Sequence, residues 1–204
     1  SLKPKDLCLV PQRVALAAQR DGWWVRSDII WHKPNPMPES VRDRPTDAYE
    51  HILMLTKSAR YYWDAEAVAE TASTPLDSRA RQSFGGPKLN TGQLSHAANH
   101  GKAYRDERDG KRNLRNIWTF PTQPYKGAHF ATFPEELPRR CILAATKPGD
   151  LVLDPFGGSG TVGKVAAELG RSAILVDLAY TQDGYLPLAQ KRISQIQVKL
   201  NVQG

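Results

Sequence analysis

The 204-residue sequence predicts an α/β fold built on a mainly parallel sheet, and three observations carry that expectation. An apolar run, Leu151–Leu153, passes through a glycine-rich turn into a helix-like run, Val162–Leu169. A second apolar run, Ala173–Val176, follows and ends on an acid, Asp177. Earlier, Trp23–Trp31 and Glu50–Thr56 are rich in aromatic and β-branched residues, which favour strands. Two strand–helix units cannot make a stable parallel sheet alone, because both faces must be covered. The remaining strands must therefore come from the N-terminal half, so the order is permuted: the glycine-turn half comes last.

Taken in order, a helix is expected from about Leu7 to Gln19, with Pro11 near its start and Gly22 as its stop. The strand Trp23–Trp31 runs into His32-Lys33-Pro34-Asn35-Pro36-Met37-Pro38, where three prolines forbid helix or central strand. Glu50–Thr56, a turn at Lys57-Ser58-Ala59, and a return over Arg60–Trp63 read as a hairpin. Ile117–Phe120 is apolar. Pro134-Glu135-Glu136 makes a good first helical turn, and that helix runs to Thr146. Pro138 either kinks it or marks where the helix proper starts. Strand 151–154, helix 160–169, strand 172–177 and helix 184–196 complete the chain.

Between Thr71 and Asn116 the periodicity disappears. This stretch carries nine Lys/Arg against four acids, most of the chain's net charge of +7. An irregular insert this long in a compact domain is functional or disordered. Basic residues interleaved with His96, His100 and Tyr104 favour a nucleic-acid contact region. The organisation expected is a first part over 1–70, a basic insert over 71–116, a ligand-binding half over 117–198 and a tail over 199–204. No apolar run approaches the roughly 20 residues of a membrane span, and the polar N-terminus lacks a signal-peptide core. Cys8 and Cys141 form no CxxC pair and read as small core residues in a reducing compartment, with no metal site.

The glycine turn, Asp154-Pro155-Phe156-Gly157-Gly158-Ser159-Gly160-Thr161, is a small-molecule device. Gly158 and Gly160 let the backbone approach a ligand, and the first helical N–H groups point at it. Asp177 lies about 20 residues on, the spacing at which a strand-end carboxylate meets ribose hydroxyls. Gly158-Ser159-Gly160-Thr161-Val162-Gly163 satisfies GxGxxG, so NAD fits the spacing alone. Against it stand the Pro-Phe pair before the glycines, the short chain remaining for a second mononucleotide half, and the basic insert. S-adenosylmethionine is the other ribose-bearing candidate.

The same eight residues resemble the cofactor motif of the DNA amino-methyltransferases, the N4-cytosine/N6-adenine family. His129–Leu137 resembles that family's other cofactor segment. Asp28–Pro38 and Glu50–Trp63 resemble its middle region. The order of pieces resembles the permuted β-group, with a DNA-recognition insert before the cofactor half. The resemblance covers about residues 1–198. It implies a circularly permuted Rossmann-like sheet, S-adenosylmethionine as cofactor, double-stranded DNA as partner, no metal, and a cytoplasmic enzyme, prokaryotic or phage-encoded. Asp177 would take the ribose; Asp154, Ser159 and Thr161 the methionine end; Thr132, Phe133 and Pro134 the opposite wall; Phe156 would pack beside the cofactor or in the core. Asn35 and Met37 would border the target base, while His32 reads as structural. Arg79, Arg81, Lys102, Arg105, Arg108, Lys111 and Arg112 would meet DNA. The family's Asp/Asn/Ser-Pro-Pro-aromatic catalytic tetrapeptide does not occur. Gln123-Pro124-Tyr125 is its nearest imitation. The expectation is a C-terminal portion of a longer enzyme, inactive alone until the missing N-terminal segment is supplied. The rival readings are an NAD-dependent oxidoreductase and a non-catalytic DNA-binding remnant.

Overall fold

The computed structural model describes residues 2–71, 110–123 and 133–200, with side chains as far as 194. The chain divides into two compact units: Ser1–Asp64 with Arg115–Gly204, and Ala65–Leu114.

In the first unit, α1 spans Val10–Arg20, β1 Trp24–His32 and β2 Tyr49–Thr56. α1 closes as the sequence dictates. Gly22 takes φ 86°, while Trp23 N–H donates to Ala18 O at 2.9 Å and Gly22 N–H to Gln19 O at 3.1 Å. These bonds satisfy carbonyls that a helix end leaves open. β1 pairs antiparallel with β2 from Trp24↔Thr56 to His32↔Tyr49, with a register shift between Val25 and Ser27. Its other edge pairs parallel with β5, Ile117–Thr119, giving the order β2-β1-β5. Ile29 and Trp31 alternate inward to the core. Trp31 stacks on Phe120 at 5.3 Å between centroids, and its Nε1–H donates to Phe120 O at 2.9 Å. A buried indole N–H thereby finds its partner.

The hairpin expected over Glu50–Trp63 does not form. β2 pairs with β1, and Arg60–Trp63 enters no ladder. The aromatic run serves cations instead: Arg26 lies over Tyr61 at 5.6 Å and Lys147 over Tyr62 at 5.0 Å. The backbone is drawn away by Asp64 N–H, which donates to Ala144 O at 2.8 Å. An apolar cavity of about 440 Å³ opens here, lined among others by Trp23, Ile52, Tyr62, Trp63, Cys141 and Ala144.

α2 spans Glu136–Ala145, β6 Leu151–Asp154, α3 Thr161–Glu168, β7 Ser172–Leu175 and α4 Tyr185–Leu200. Pro138 falls in the first turn of α2, where its missing N–H costs no intrahelical bond. β6 and β7 pair in parallel from Leu151↔Ser172 to Asp154↔Leu175. The helices cover one face: Ile142, Val165 and Ala166 are buried, with Val152, Val162, Leu169 and Ala173 packed against them. Val165 is 0% exposed, and burial of such a side chain stabilises by about 1.5–3 kcal/mol. On the other face Leu151, Leu153, Ile174 and Val176 remain exposed. The single sheet expected from the sequence is two hydrogen-bonded groups among the described residues, β2-β1-β5 and β6-β7.

The second unit contributes β3, Glu70–Thr71, and β4, Lys111–Arg112, as a short antiparallel ladder. Lys111 is exposed, and Arg112 Nε donates to Glu70 Oε2 at 3.1 Å. Arg79, Arg81, Lys102, Arg105 and Arg108 lie outside the described residues, as does Thr132.

Candidate functional site: the glycine turn between β6 and α3

β6 ends on Asp154, whose Oδ1 accepts the Phe156 N–H at 3.0 Å and starts the turn. Gly158 and Gly160 take φ 46° and 79°, the left-handed region that glycine enters without penalty. A Cβ on Gly158 would meet nothing closer than Phe156 O at 3.9 Å, so this stretch of backbone is open to a ligand. Gly160 is needed for a different reason. A Cβ there would lie 2.9 Å from Ala189 Cβ and 3.0 Å from Ala189 Cα, so α4 can dock only on a bare backbone.

β7 delivers the distant carboxylate to the same place. Asp177 Oδ2 accepts the Gly158 N–H at 2.9 Å, and its Oδ1 accepts the Ala179 N–H at 2.8 Å. The acid and the turn, 19 residues apart, meet at the carboxyl ends of two parallel strands, where open α/β sheets take ligands. Each carboxylate oxygen keeps a further lone pair for hydroxyl donors. The Tyr180 hydroxyl packs under this turn, in the space a Gly157 side chain would fill. It is buried and has no hydrogen-bond partner among the described residues. Burial, then the carboxylates of Asp177 and Asp154, push its pKa up, so it stays a neutral donor. A buried hydroxyl donor, a strand-end carboxylate and an open glycine are brought together here.

The other expected site residues divide. Phe133 is exposed and Pro134 buried, at the entry to α2. Phe156 is 85% exposed, which removes the core-filling alternative. Ser159 and Thr161 have a protein partner on the inner side of the turn. Both are buried, and Arg192 Nη1 donates to Ser159 Oγ at 2.8 Å and Thr161 Oγ1 at 3.0 Å. Each hydroxyl accepts from Arg192 and keeps its own proton to donate. Asn35 Oδ1 accepts the Thr122 N–H at 3.0 Å, Met37 is exposed, and His32 Nδ1 lies 3.4 Å from Thr119 Oγ1.

Sequence reasoning missed Arg192, Tyr180, Lys164 and the true role of Glu135. Glu135 stands at the N-cap of α2 but makes no capping bond. It accepts from Lys164 Nζ at 2.6 Å and Arg192 Nη2 at 3.2 Å. Burial alone would lower the Lys164 pKa, but the Glu135 and Glu168 carboxylates raise it on balance. For Glu168, burial works upward and is outweighed by the Arg139 and Lys164 donors.

Residues 4–190 match the pattern of the DNA methylases, the N6/N4 methyltransferase family. The chain belongs to that family. It is 46% identical over 194 residues to the Type II methyltransferase M.Cfr9I of Citrobacter freundii, covering 94% of this chain and 52% of that protein. It is 44% identical over 192 residues to M.SmaI of Serratia marcescens, covering 94% and 54%. The chain thus spans about half the length of the curated relatives it matches. Among solved structures, the PvuII cytosine-N4-specific DNA methyltransferase superposes with TM-score 0.62 at 20% identity, over 95% of this chain and 62% of that one. The M1.HpyAVI–SAM complex gives 0.58 at 22% identity, over 92% and 71%. The fold is the Rossmann-like α/β fold of these methyltransferases.

Proposed function

We propose that this chain forms the S-adenosylmethionine-binding portion of a DNA methyltransferase, one that methylates the exocyclic amine of adenine or cytosine within a bacterial restriction–modification system. The observation that carries the reading is the Asp177 carboxylate, held 2.9 Å from the Gly158 nitrogen. Family membership and the solved complex of a similar chain with this cofactor support it. Asp177 would accept the ribose hydroxyls, the open backbone at Gly158 would line the methionine side, and the Tyr180 hydroxyl would find its missing acceptor. The cofactor, when bound, supplies an electrophilic methyl group on sulfonium. An amine inside a duplex is out of reach, so the target base must be extruded. Lys111 and the other basic residues of the insert would meet phosphates.

The chain carries no Pro-Pro-aromatic tetrapeptide. We infer that the amine is positioned by a segment outside it, within the half of the relatives' length that this chain does not span. The bare apolar face at Leu151, Leu153, Ile174 and Val176 supports this, because parallel sheets are covered on both sides. Calorimetric titration tests the reading: S-adenosylmethionine binds and NAD does not. Asp177→Ala weakens that binding by about tenfold or more, as expected for lost hydrogen bonds to a charged group. Methylation of duplex DNA should be absent with the chain alone and appear when the upstream segment is supplied. Binding of NAD in place of the methyl donor would overturn the proposal.

A further inference from the structure

α4 lays a stripe of three residues on the glycine turn. Ala189 abuts Gly160, Arg192 reaches Ser159 and Thr161, and Ile193 abuts Gly163. The stripe follows helical spacing, one face over a single turn. Arg192 lies at its centre and is buried. Its Nη1 donates to Ser159 O at 3.3 Å, Ser159 Oγ at 2.8 Å and Thr161 Oγ1 at 3.0 Å. Its Nη2 reaches Glu135 Oε1 at 3.2 Å.

This arrangement braces the turn without capping the helix, because a guanidinium only donates and cannot accept the first helical N–H groups. α3 begins on Gly160, which has no side chain and makes no capping bond. Ordinarily an Ncap oxygen would fix the entry to such a helix. Here the guanidinium holds the turn from beneath, through the residues on either side of Gly160. A buried cation is costly unless its donors are satisfied, and these acceptors satisfy it. Through Glu135 the same cation also ties in the start of α2, next to Phe133 and Pro134, the expected opposite wall of the cofactor site. Lys164 grips Glu135 from α3.

We propose that Arg192 is a positioning residue for the methyl donor: it locks the glycine turn to the start of α2, so that the bonded Gly158–Asp177 edge and the entry to α2 are held in place before the cofactor binds. The inference rests on the cofactor reading above. Fixing the walls before binding spares the ligand the cost of ordering them.

The test is calorimetric titration of S-adenosylmethionine onto the wild-type chain, Arg192→Met, Arg192→Lys, and Ser159→Ala/Thr161→Val with and without Arg192→Met, with circular dichroism checking each fold. Arg192→Met should weaken affinity about tenfold or more, and Arg192→Lys should recover part of the loss, because an ammonium can donate to the two hydroxyls but not also span to Glu135. In the Ser159→Ala/Thr161→Val background, removing Arg192 should change affinity by less than about threefold, since most of its route to the turn is already cut. Wild-type affinity in a folded Arg192→Met would overturn the inference, as would an equal loss in both backgrounds. If Arg192→Met does not fold, Arg192→Lys decides: affinity equal to wild type overturns the inference, and a partial loss sustains it. A wild-type chain that ignores S-adenosylmethionine would sink the cofactor reading itself.

Discussion

The β2-β1-β5 sheet and the β6–α3–β7–α4 layer solve the packing problem in opposite ways. In the first, large side chains fill the space: Trp31 and Trp118 are each 2% exposed, and Arg140 lies over the Trp118 and Phe120 rings at 5.6 and 5.4 Å. In the second, missing side chains create the fit. Gly160 admits Ala189, and Gly163 admits Leu175 and Ile193. The Leu175 and Ile193 side-chain ends at Gly163 can give way to a change, whereas the α4 backbone against Gly160 cannot. The glycine-built layer should therefore be the brittle half, and it is the half that carries the candidate site.

Gly160→Ala gives the largest expected effect. It forces a Cβ against the α4 backbone at a φ of 79°, and should cost about 3 kcal/mol in urea unfolding. Gly158→Ala sharpens the contrast: its Cβ points to open space, so only the backbone penalty of about 1 kcal/mol applies. Equal losses at the two positions would break the distinction between packing and conformation. Next come the thiols. Cys8 is exposed, while burial pushes the Cys141 thiol up to about 11. A disulfide reagent at pH 8 should label one cysteine quickly, and the second about a hundredfold more slowly until the chain is unfolded. Rapid labelling of both would show α2 to be loosely packed.

In the side-chain-built half, Trp31→Phe removes the bond to Phe120 O and leaves a small void. The expected loss is about 2 kcal/mol by the same unfolding measurement. A loss above that for Gly160→Ala would reverse the ranking of the two halves. Lys5→Ala closes the series. Its partner is Asp43 at 2.6 Å, with the two side chains 82% and 59% exposed, so stability should move by less than about 0.5 kcal/mol. The partly buried set around Lys164 differs. The lowered Glu168 pKa means a contribution present above the ordinary carboxylate range and lost as pH falls through the lowered folded value. The raised Lys164 pKa means a contribution lost only as pH rises past the ordinary lysine range.

The sequence made the site's front legible and hid its back. Asp154–Thr161 announces itself because strand, turn and helix are local, and Asp177 because one βαβ crossover has a narrow length range. Strand 151–154 and the start of the helix after it were read nearly to the residue. Arg192 and Glu135 gave no such signal. Their contacts span 33 and 57 residues, and an arginine on a terminal helix ordinarily reads as solvated. Arg60–Trp63 misled for a chemical reason: aromatic residues that favour strands also bind cations, and here the second use won. Of the two readings open for Pro138, the structure takes the helix start: with Glu136 first, it falls in the one turn that tolerates it.

Arg192 also sets a timetable. The turn it braces leaves the ribosome 33 residues ahead of it. At about 5–20 residues per second, roughly two to seven seconds of synthesis separate the glycines from their brace. During that interval the nascent turn lacks the guanidinium that holds it, and the candidate site is incomplete until α4 emerges.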